Sequence, residues 1–192
     1  QVAGVEAVNA YTGMGFEKFE KKVCLHYDGG TKPCGFPNIW KPVAKGGAPL
    51  ADLMKLETVV VQPGHVPQAT PGEGWSPTGS TLDAIVLTRD EPLPWPDSEL
   101  AVATQDATVA SAKTVGNGHE RVELSTGSNP SKLTFALLAW PGYQATFNGE
   151  EIEVQTNQAG LVRVDVPANS DGVLELQWSP PGRGIGIGVA LL

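Results

Sequence analysis

Apolar and polar residues alternate through much of the C-terminal half of the chain. Residues 133–137 place Leu, Phe and Leu on one side and Thr and Ala on the other, and residues 161–166 alternate in a similar way. A period of two is typical of a β-strand with one buried face. The Asn148-Gly149 pair predicts a two-residue hairpin between residues 143–147 and 151–154, because a type I′ turn needs positive φ at both positions. We therefore predict an antiparallel sheet that buries one face against a second sheet.

Strand-like segments recur from residue 81 onward, about every eight to twelve residues between turn signals, which is typical of a sandwich or jelly roll. Besides those above, the predicted strands lie at residues 81–88, 100–104, 108–112, 119–126 and 173–178. The Asp171-Gly172 pair predicts the turn before the last strand. The predicted fold class is mainly β, with an antiparallel, jelly-roll-like β-sandwich over residues 81–182 and a small disulfide-pinned α/β lobe over residues 1–80.

The patterning of the N-terminal lobe is less regular. Residues 16–22 favour a short polar helix or turn. Residues 49–56 place Leu50 and Leu53 at helical spacing ahead of a Val-rich strand at residues 57–61. Residues 62–80 hold four Pro and four Gly without an apolar period, so we expect a long loop there.

The two cysteines bear on the cellular compartment. Cys24 and Cys34 flank a Gly29-Gly30 turn, and we predict a structural disulfide between them, with two free thiols as the alternative. Adding His26 still leaves too few ligands for a typical zinc site. The bridge would contribute about 3 kcal/mol on the chain-entropy model. Because disulfides persist in oxidising compartments, we favour an extracytoplasmic location.

Composition narrows the functional classes. The 192 residues include 23 Gly and 16 Pro, a turn-rich composition that favours β structure. The net charge of −8 argues against a nucleic-acid partner, since phosphate binding needs clustered Lys and Arg. The chain starts at Gln1 without Met, so we expect a piece of a longer protein.

We predict no catalytic, metal-binding or cofactor-binding residues. The histidines His26, His65 and His119 lie in separate segments without an H-E-x-x-H motif. The sequence also lacks a G-x-S-x-G elbow and a phosphate-cradling loop. A glycosidase needs two suitably spaced carboxylates, for which Asp90-Glu91 is the best pair, although adjacent acids in turns are usually solvated.

Aromatic side chains are the candidate ligand contacts, because their faces can pack on the C–H face of a sugar while carboxylates accept its hydroxyl hydrogen bonds. The candidate glycan contacts are Trp75, Trp95, Trp140, Tyr143, Asp90 and Glu91. Trp75 would equally suit the protein core. Trp140 and Tyr143 favour the core and rim of the sandwich, and we expect Trp178 to be buried.

Residues 133–182 carry, in order, A-W-P-G-Y, N-G-E, a G-L segment, V-P-A and W-S-P-P-G. This pattern resembles the C-terminal extracytoplasmic segment of YfhO-like and related GT-C type glycosyltransferase-like membrane proteins of bacteria, in particular actinobacterial cell-envelope members. A weaker likeness covers residues 51–96. In that family the P-P-G element is where the chain re-enters the bilayer. Residues 183–192 are shorter than the ~20 apolar residues of a spanning helix. They are either the start of such a helix, which we favour, or a last strand.

The resemblance implies an accessory domain at the extracytoplasmic face of the plasma membrane, with any catalysis elsewhere in the full polypeptide. Its implied partners are the transmembrane part of the same polypeptide and a cell-envelope glycan or polyprenyl-linked sugar. One alternative function is a structural protein–protein interaction module of the envelope. Another is a secreted glycoside hydrolase that uses Asp90 and Glu91.

Overall fold

The computed structural model describes residues 16–25, 32–44, 47–64, 66, 70–81, 83–93, 95 and 102–182. The chain divides into two compact units. The N-terminal unit comprises Gln1–Pro94 with Gln158–Gly160, and the C-terminal unit comprises Trp95–Asn157 with Leu161–Leu192. Antiparallel strands dominate the described chain, which confirms the mainly β fold class. None of the helices in these described ranges has the length and apolar character to cross a membrane.

Within its described residues, the N-terminal unit combines three short helices with a three-stranded antiparallel sheet. Its elements are α1 (Glu17–Val23), α2 (Gly35–Ile39), α3 (Leu50–Leu53), β1 (Thr58–Val61), β2 (Trp75–Ser80) and β3 (Ile85–Arg89). The sheet order is β1-β3-β2. Because β3 is the central strand of this sheet, the segment predicted at residues 81–88 belongs here and not in the sandwich. The unit therefore extends past the predicted boundary at residue 80.

A disulfide joins Cys24 and Cys34, as predicted. Cys24 follows α1 directly and Cys34 immediately precedes α2. Between the same helices, Asn38 Nδ2 donates a hydrogen bond to the carbonyl oxygen of Lys22 at 3.1 Å. Helices this short are marginal alone in water, so these cross-links hold them in place.

The C-terminal unit is a β-sandwich, which confirms the predicted antiparallel architecture. Its strands are β4 (Val102–Gln105), β5 (Ala107–Gly116), β6 (His119–Thr126), β7 (Ser131–Leu138), β8 (Tyr143–Phe147), β9 (Glu150–Ile152), β10 (Val154–Thr156), β11 (Leu161–Val166) and β12 (Asp171–Trp178). One sheet has the order β10-β11-β7-β4 and the other β5-β6-β12-β8-β9. The jelly-roll-like refinement stays a prediction. Residues 183–192 lie outside the described residues.

Alternate side chains of both sheets form one hydrophobic core. The buried members are Val122, Leu124, Leu133, Phe135, Ala145, Phe147, Val162, Val164, Val166, Leu174 and Leu176. Burial of each large apolar side chain is worth roughly 1.5–3 kcal/mol. This core fixes which residues of each strand face inward.

The predicted hairpin turn is confirmed, whereas the predicted Asp171-Gly172 turn is wrong. Asn148 and Gly149 have φ of 52° and 83°, as a type I′ turn requires. Asp171 and Gly172 begin β12 instead, and the turn lies at residues 168–169. A Cβ at position 172 would lie 1.9 Å from Asn148 Oδ1, so a larger residue there would displace the Asn148 side chain.

We expect removal of the disulfide to destabilise the N-terminal unit. Replacing both Cys24 and Cys34 by Ser should lower the free energy of unfolding by about 3 kcal/mol, because the bridge restricts the unfolded chain. Amide hydrogen exchange in α1 and α2 measures this loss. Reductant should produce the same change in the wild type and none in the double variant. Unchanged exchange in both cases would contradict the prediction.

Candidate functional site

Two segments of the C-terminal unit meet at one end of the five-stranded sheet. We call Trp140–Tyr143 together with Trp178–Pro181 the aromatic end. Tyr143 and Trp178 are paired at the end of the β8–β12 register. The backbone N–H of Ser179 donates to the carbonyl oxygen of Gly142 at 3.0 Å, and Trp178 Nε1 donates to that of Pro141 at 3.0 Å. The two segments therefore form one surface.

Glycine at position 142 permits this close approach. Its φ is 109°, and a Cβ at this position would lie 2.1 Å from the carbonyl oxygen of Ser179. Such a separation is impossible without a backbone shift. A side chain at position 142 would therefore clash with Ser179, and glycine lets the backbones of the two segments touch where they cross.

Tyr143 and Trp178 form the aromatic surface of this end. Their ring centroids are 6.5 Å apart and the ring planes are inclined by 50°. Both side chains are half-buried, and Tyr143 packs against the hydrophobic core. Rings with one side packed on a core and the other accessible are rigid, amphipathic contact surfaces. The pair can therefore contact a ligand with little loss of side-chain freedom.

A buried acidic side chain, that of Glu120, lies on the inner face of the same sheet. Glu120 alternates with the core residues Val122 and Leu124, and its side chain is consequently directed inward. It is only 4% exposed. Thr114 Oγ1 donates a hydrogen bond to Glu120 Oε2 at 2.9 Å. Leu176, two residues before Trp178 in β12, is its neighbour in the register. Glu120 and its partner Leu176 therefore lie two residues along the strands from the Tyr143–Trp178 pair, toward the middle of the sheet.

The environment of Tyr143 keeps its hydroxyl protonated. Burial raises the pKa of Tyr143 above the ordinary value, and the negative charge of Glu120 raises this pKa further. A protonated phenol both donates and accepts hydrogen bonds. At neutral pH the Tyr143 hydroxyl is therefore a hydrogen-bond donor within the aromatic end.

Trp75 lies in the core of the N-terminal unit, which corrects its expected position on a long loop. It begins β2 and is 6% exposed. The Trp40 ring lies 5.0 Å away between centroids, and the Arg89 guanidinium carbon lies 4.7 Å from the Trp75 ring centroid. Trp75 therefore has the core position that was the alternative to sugar contact.

The remaining predicted contacts differ in exposure. Asp90 and Glu91 are exposed in the bend after β3, as expected of solvated acids, and Trp95 is half-buried. Trp140 is half-buried within the aromatic end. Across the described ranges, no group of three or more His, Cys, Asp or Glu side chains could hold a metal ion.

Two features of the site were not predicted from the sequence. Glu120 was missed, although it occupies an inward position in the alternating segment H-E-R-V-E-L, and that pattern was the available signal. Trp178 was expected to be buried but is only half-buried, because it is the last residue of β12.

Comparisons of the chain with protein-family models, curated protein sequences and solved structures gave no match. The function proposed below therefore rests on the geometry of the site.

Gly142→Ala should destabilise the protein more than Gly149→Ala. Both glycines have positive φ, but nothing lies within 4 Å of a Cβ at position 149. Left-handed strain alone costs about 1–2 kcal/mol. The free energy of unfolding should fall by about 1 kcal/mol more in Gly142→Ala than in Gly149→Ala, because the hydrogen bond from the Ser179 N–H to the Gly142 carbonyl oxygen is displaced. Urea unfolding of both variants measures the difference, and equal losses would contradict the proposed close contact.

The raised pKa of Tyr143 predicts lower stability at high pH. Above the ordinary value of 10.0, the folded state retains the phenolic proton more than the unfolded state does, so stability falls as pH rises. Tyr143→Phe removes this contribution. Urea unfolding at about pH 8 and about pH 10.5 should therefore show a smaller alkaline loss in the variant than in the wild type. Identical losses would count against the prediction.

Proposed function

We propose that this chain is an extracytoplasmic accessory domain of a membrane-anchored, glycosyltransferase-like protein, and that its aromatic end binds a cell-envelope glycan. The observation that carries the proposal is the half-buried pair of Tyr143 and Trp178, whose rings lie beside a protonated hydroxyl. Sugars combine apolar C–H faces with hydroxyl groups. An aromatic surface with a nearby hydrogen-bond donor complements both features.

The disulfide supports the extracytoplasmic location. A bridge between Cys24 and Cys34 is maintained in oxidising compartments and is rare in the reducing cytosol. In this proposal, attachment to the membrane is provided by the transmembrane part of the same polypeptide.

Two of the sequence patterns that resemble GT-C type proteins lie at the aromatic end. The A-W-P-G-Y and W-S-P-P-G patterns are the sequences around Trp140–Tyr143 and Trp178–Gly182. These two segments contact each other through the Gly142–Ser179 hydrogen bond. The residues that carry the resemblance are thus the residues that build the aromatic end, which supports a shared role for them.

We propose a binding role for this chain, with any catalysis elsewhere in the parent protein. Asp90 and Glu91 are adjacent and exposed, and this environment favours solvated charges over a tuned acid–base pair. A secreted glycoside hydrolase remains the alternative that turnover would support.

An envelope interaction module is the second candidate function, and one observation favours it. Strand β1 is at the edge of its sheet in the part of the chain that the structure describes, and it contains only Thr and Val. Val60 within it is 64% exposed. Uncharged edge strands of β-branched residues are able to pair with an added strand.

Calorimetric titration with arabinan, mannan and related envelope oligosaccharides tests the proposal. We expect binding by the wild type and at least about tenfold weaker binding by Tyr143→Ala, the equivalent of about 1.4 kcal/mol. Val60→Thr and Glu73→Gln, both at exposed positions of the N-terminal unit, are the controls and should bind as the wild type does. Circular dichroism of each variant verifies that it is folded.

Other outcomes would lead to different conclusions. Indifference to every envelope glycan would overturn the binding proposal and favour the interaction module. Glycoside turnover that Glu91→Gln abolishes would promote the hydrolase. Equal weakening by Tyr143→Ala and Val60→Thr would exclude the aromatic end as the binding surface.

A further inference from the structure

Two hairpin turns of the C-terminal unit contain the same dipeptide, Asn-Gly. Asn117 and Gly118 connect β5 to β6, and Asn148 and Gly149 connect β8 to β9. We propose that Asn117 is a site of spontaneous deamidation whose isoaspartyl product disturbs the aromatic end, and that the fold protects Asn148 from the same reaction. Deamidation at Asn117 is independent of what the aromatic end binds.

The reaction needs water as its only co-reactant. The backbone nitrogen that follows asparagine bonds to the side-chain carbonyl carbon, its proton passes to the departing amide group, and ammonia leaves behind a five-membered succinimide. Water then adds to one of the two ring carbonyl carbons and breaks its bond to nitrogen. One opening gives aspartate, and the other gives isoaspartate, in which the main chain runs through the side-chain carbons and is one atom longer. Glycine favours ring closure, because it has no Cβ beside the attacking nitrogen and has the widest backbone freedom.

The side-chain amide of Asn148 is held at both of its polar atoms. Its Nδ2 donates to the carbonyl oxygen of Asp171 at 3.1 Å, and its Oδ1 accepts from the backbone N–H of Val173 at 2.9 Å. Ring closure expels the Nδ2 group and turns the carbonyl carbon toward the Gly149 nitrogen, so it breaks these hydrogen bonds. The attachment to β12 therefore opposes deamidation at Asn148.

The side chain of Asn117 is under no such restraint. It is exposed in the two-residue turn, and its amide group forms no hydrogen bond with any residue that the structure describes. Rotation of this side chain toward the Gly118 nitrogen therefore breaks no hydrogen bond of the folded protein. The same dipeptide is thus reactive in one turn and protected in the other.

The turn at Asn117 is connected to the aromatic end. The Gly118 carbonyl oxygen accepts a hydrogen bond from the Trp178 N–H at 2.7 Å. A Cβ at position 118 would lie 3.3 Å from the Trp178 Cβ, so the two residues are in close contact. An isoaspartyl residue at position 117 adds a main-chain atom immediately before Gly118. Because the turn has only two residues, this atom displaces the Gly118 carbonyl from the Trp178 N–H.

The test measures both asparagines in one sample. The folded protein is incubated in mildly alkaline buffer, digested with trypsin and analysed by mass spectrometry, with an unincubated sample to correct for deamidation during digestion. Trypsin places the two asparagines in separate peptides, residues 114–121 and 133–163. Asn117 should deamidate at least about tenfold faster than Asn148, the equivalent of about 1.4 kcal/mol. In concentrated urea the two rates should become similar, because the unfolded chain no longer restrains Asn148.

Two variants test the effect on the aromatic end through amide hydrogen exchange of Trp178. The isoaspartyl form of the wild type should exchange this proton on the order of tenfold faster than the unmodified protein, because the hydrogen bond to Gly118 is lost. Asn117→Gln after the same incubation should exchange as the unmodified wild type does, since a longer side chain disfavours the five-membered ring. Freshly purified Asn117→Asp should also do so, because it adds the charge without lengthening the main chain.

The two parts of the proposal fail separately. Equal rates at Asn117 and Asn148 in the folded protein, or a difference that persists in urea, would overturn the assignment of Asn117. Exchange at Trp178 that isoaspartate leaves unchanged, or that is equally fast in fresh Asn117→Asp, would overturn the effect of chain lengthening on the aromatic end. Neither result alters the test of glycan binding.

Discussion

Burial of alternate side chains between the two sheets of the C-terminal unit is the interaction on which the aromatic end depends. Phe135 on one sheet and Leu174 and Leu176 on the other are completely buried. A slip of one residue in β12 would turn these side chains outward, so the core strongly specifies the register. Because Trp178 continues the alternation of Leu174 and Leu176, the same register brings it opposite Tyr143.

The burial of Glu120 inside the sandwich is unfavourable by itself, and it changes the pKa of Tyr143. An inner position that would suit Val or Leu holds a carboxylate instead, and burying such a group is unfavourable unless hydrogen bonds compensate. The Thr114 hydroxyl provides one of them. Buried titratable groups beside an accessible surface are candidates for function, because their charge modifies neighbouring groups. Here the modified group is the Tyr143 hydroxyl.

The N-terminal unit is stabilised by different means, which explain why Trp75 has a structural role. Arg89 forms an ion pair with Asp52 at 2.7 Å, donates to the carbonyl oxygen of Leu56 and lies over the Trp75 ring. Its side chain is 14% exposed. A small lobe has little apolar volume to bury. Its core is supplemented by the contact between the Trp75 ring and the paired Arg89 cation, and separately by the disulfide. Trp75 is thereby committed to packing.

Local sequence patterns were enough to predict the β-rich fold, most strand positions and the Asn148-Gly149 hairpin, since period-two alternation and positive-φ turn residues are local properties. It also indicated the pairing of Cys24 with Cys34. The tertiary structure was needed to show that β3 belongs to the N-terminal sheet, that Trp75 is buried and that Tyr143 is paired with Trp178. These depend on which strands pair and which faces meet, and such contacts join residues that are distant in the chain.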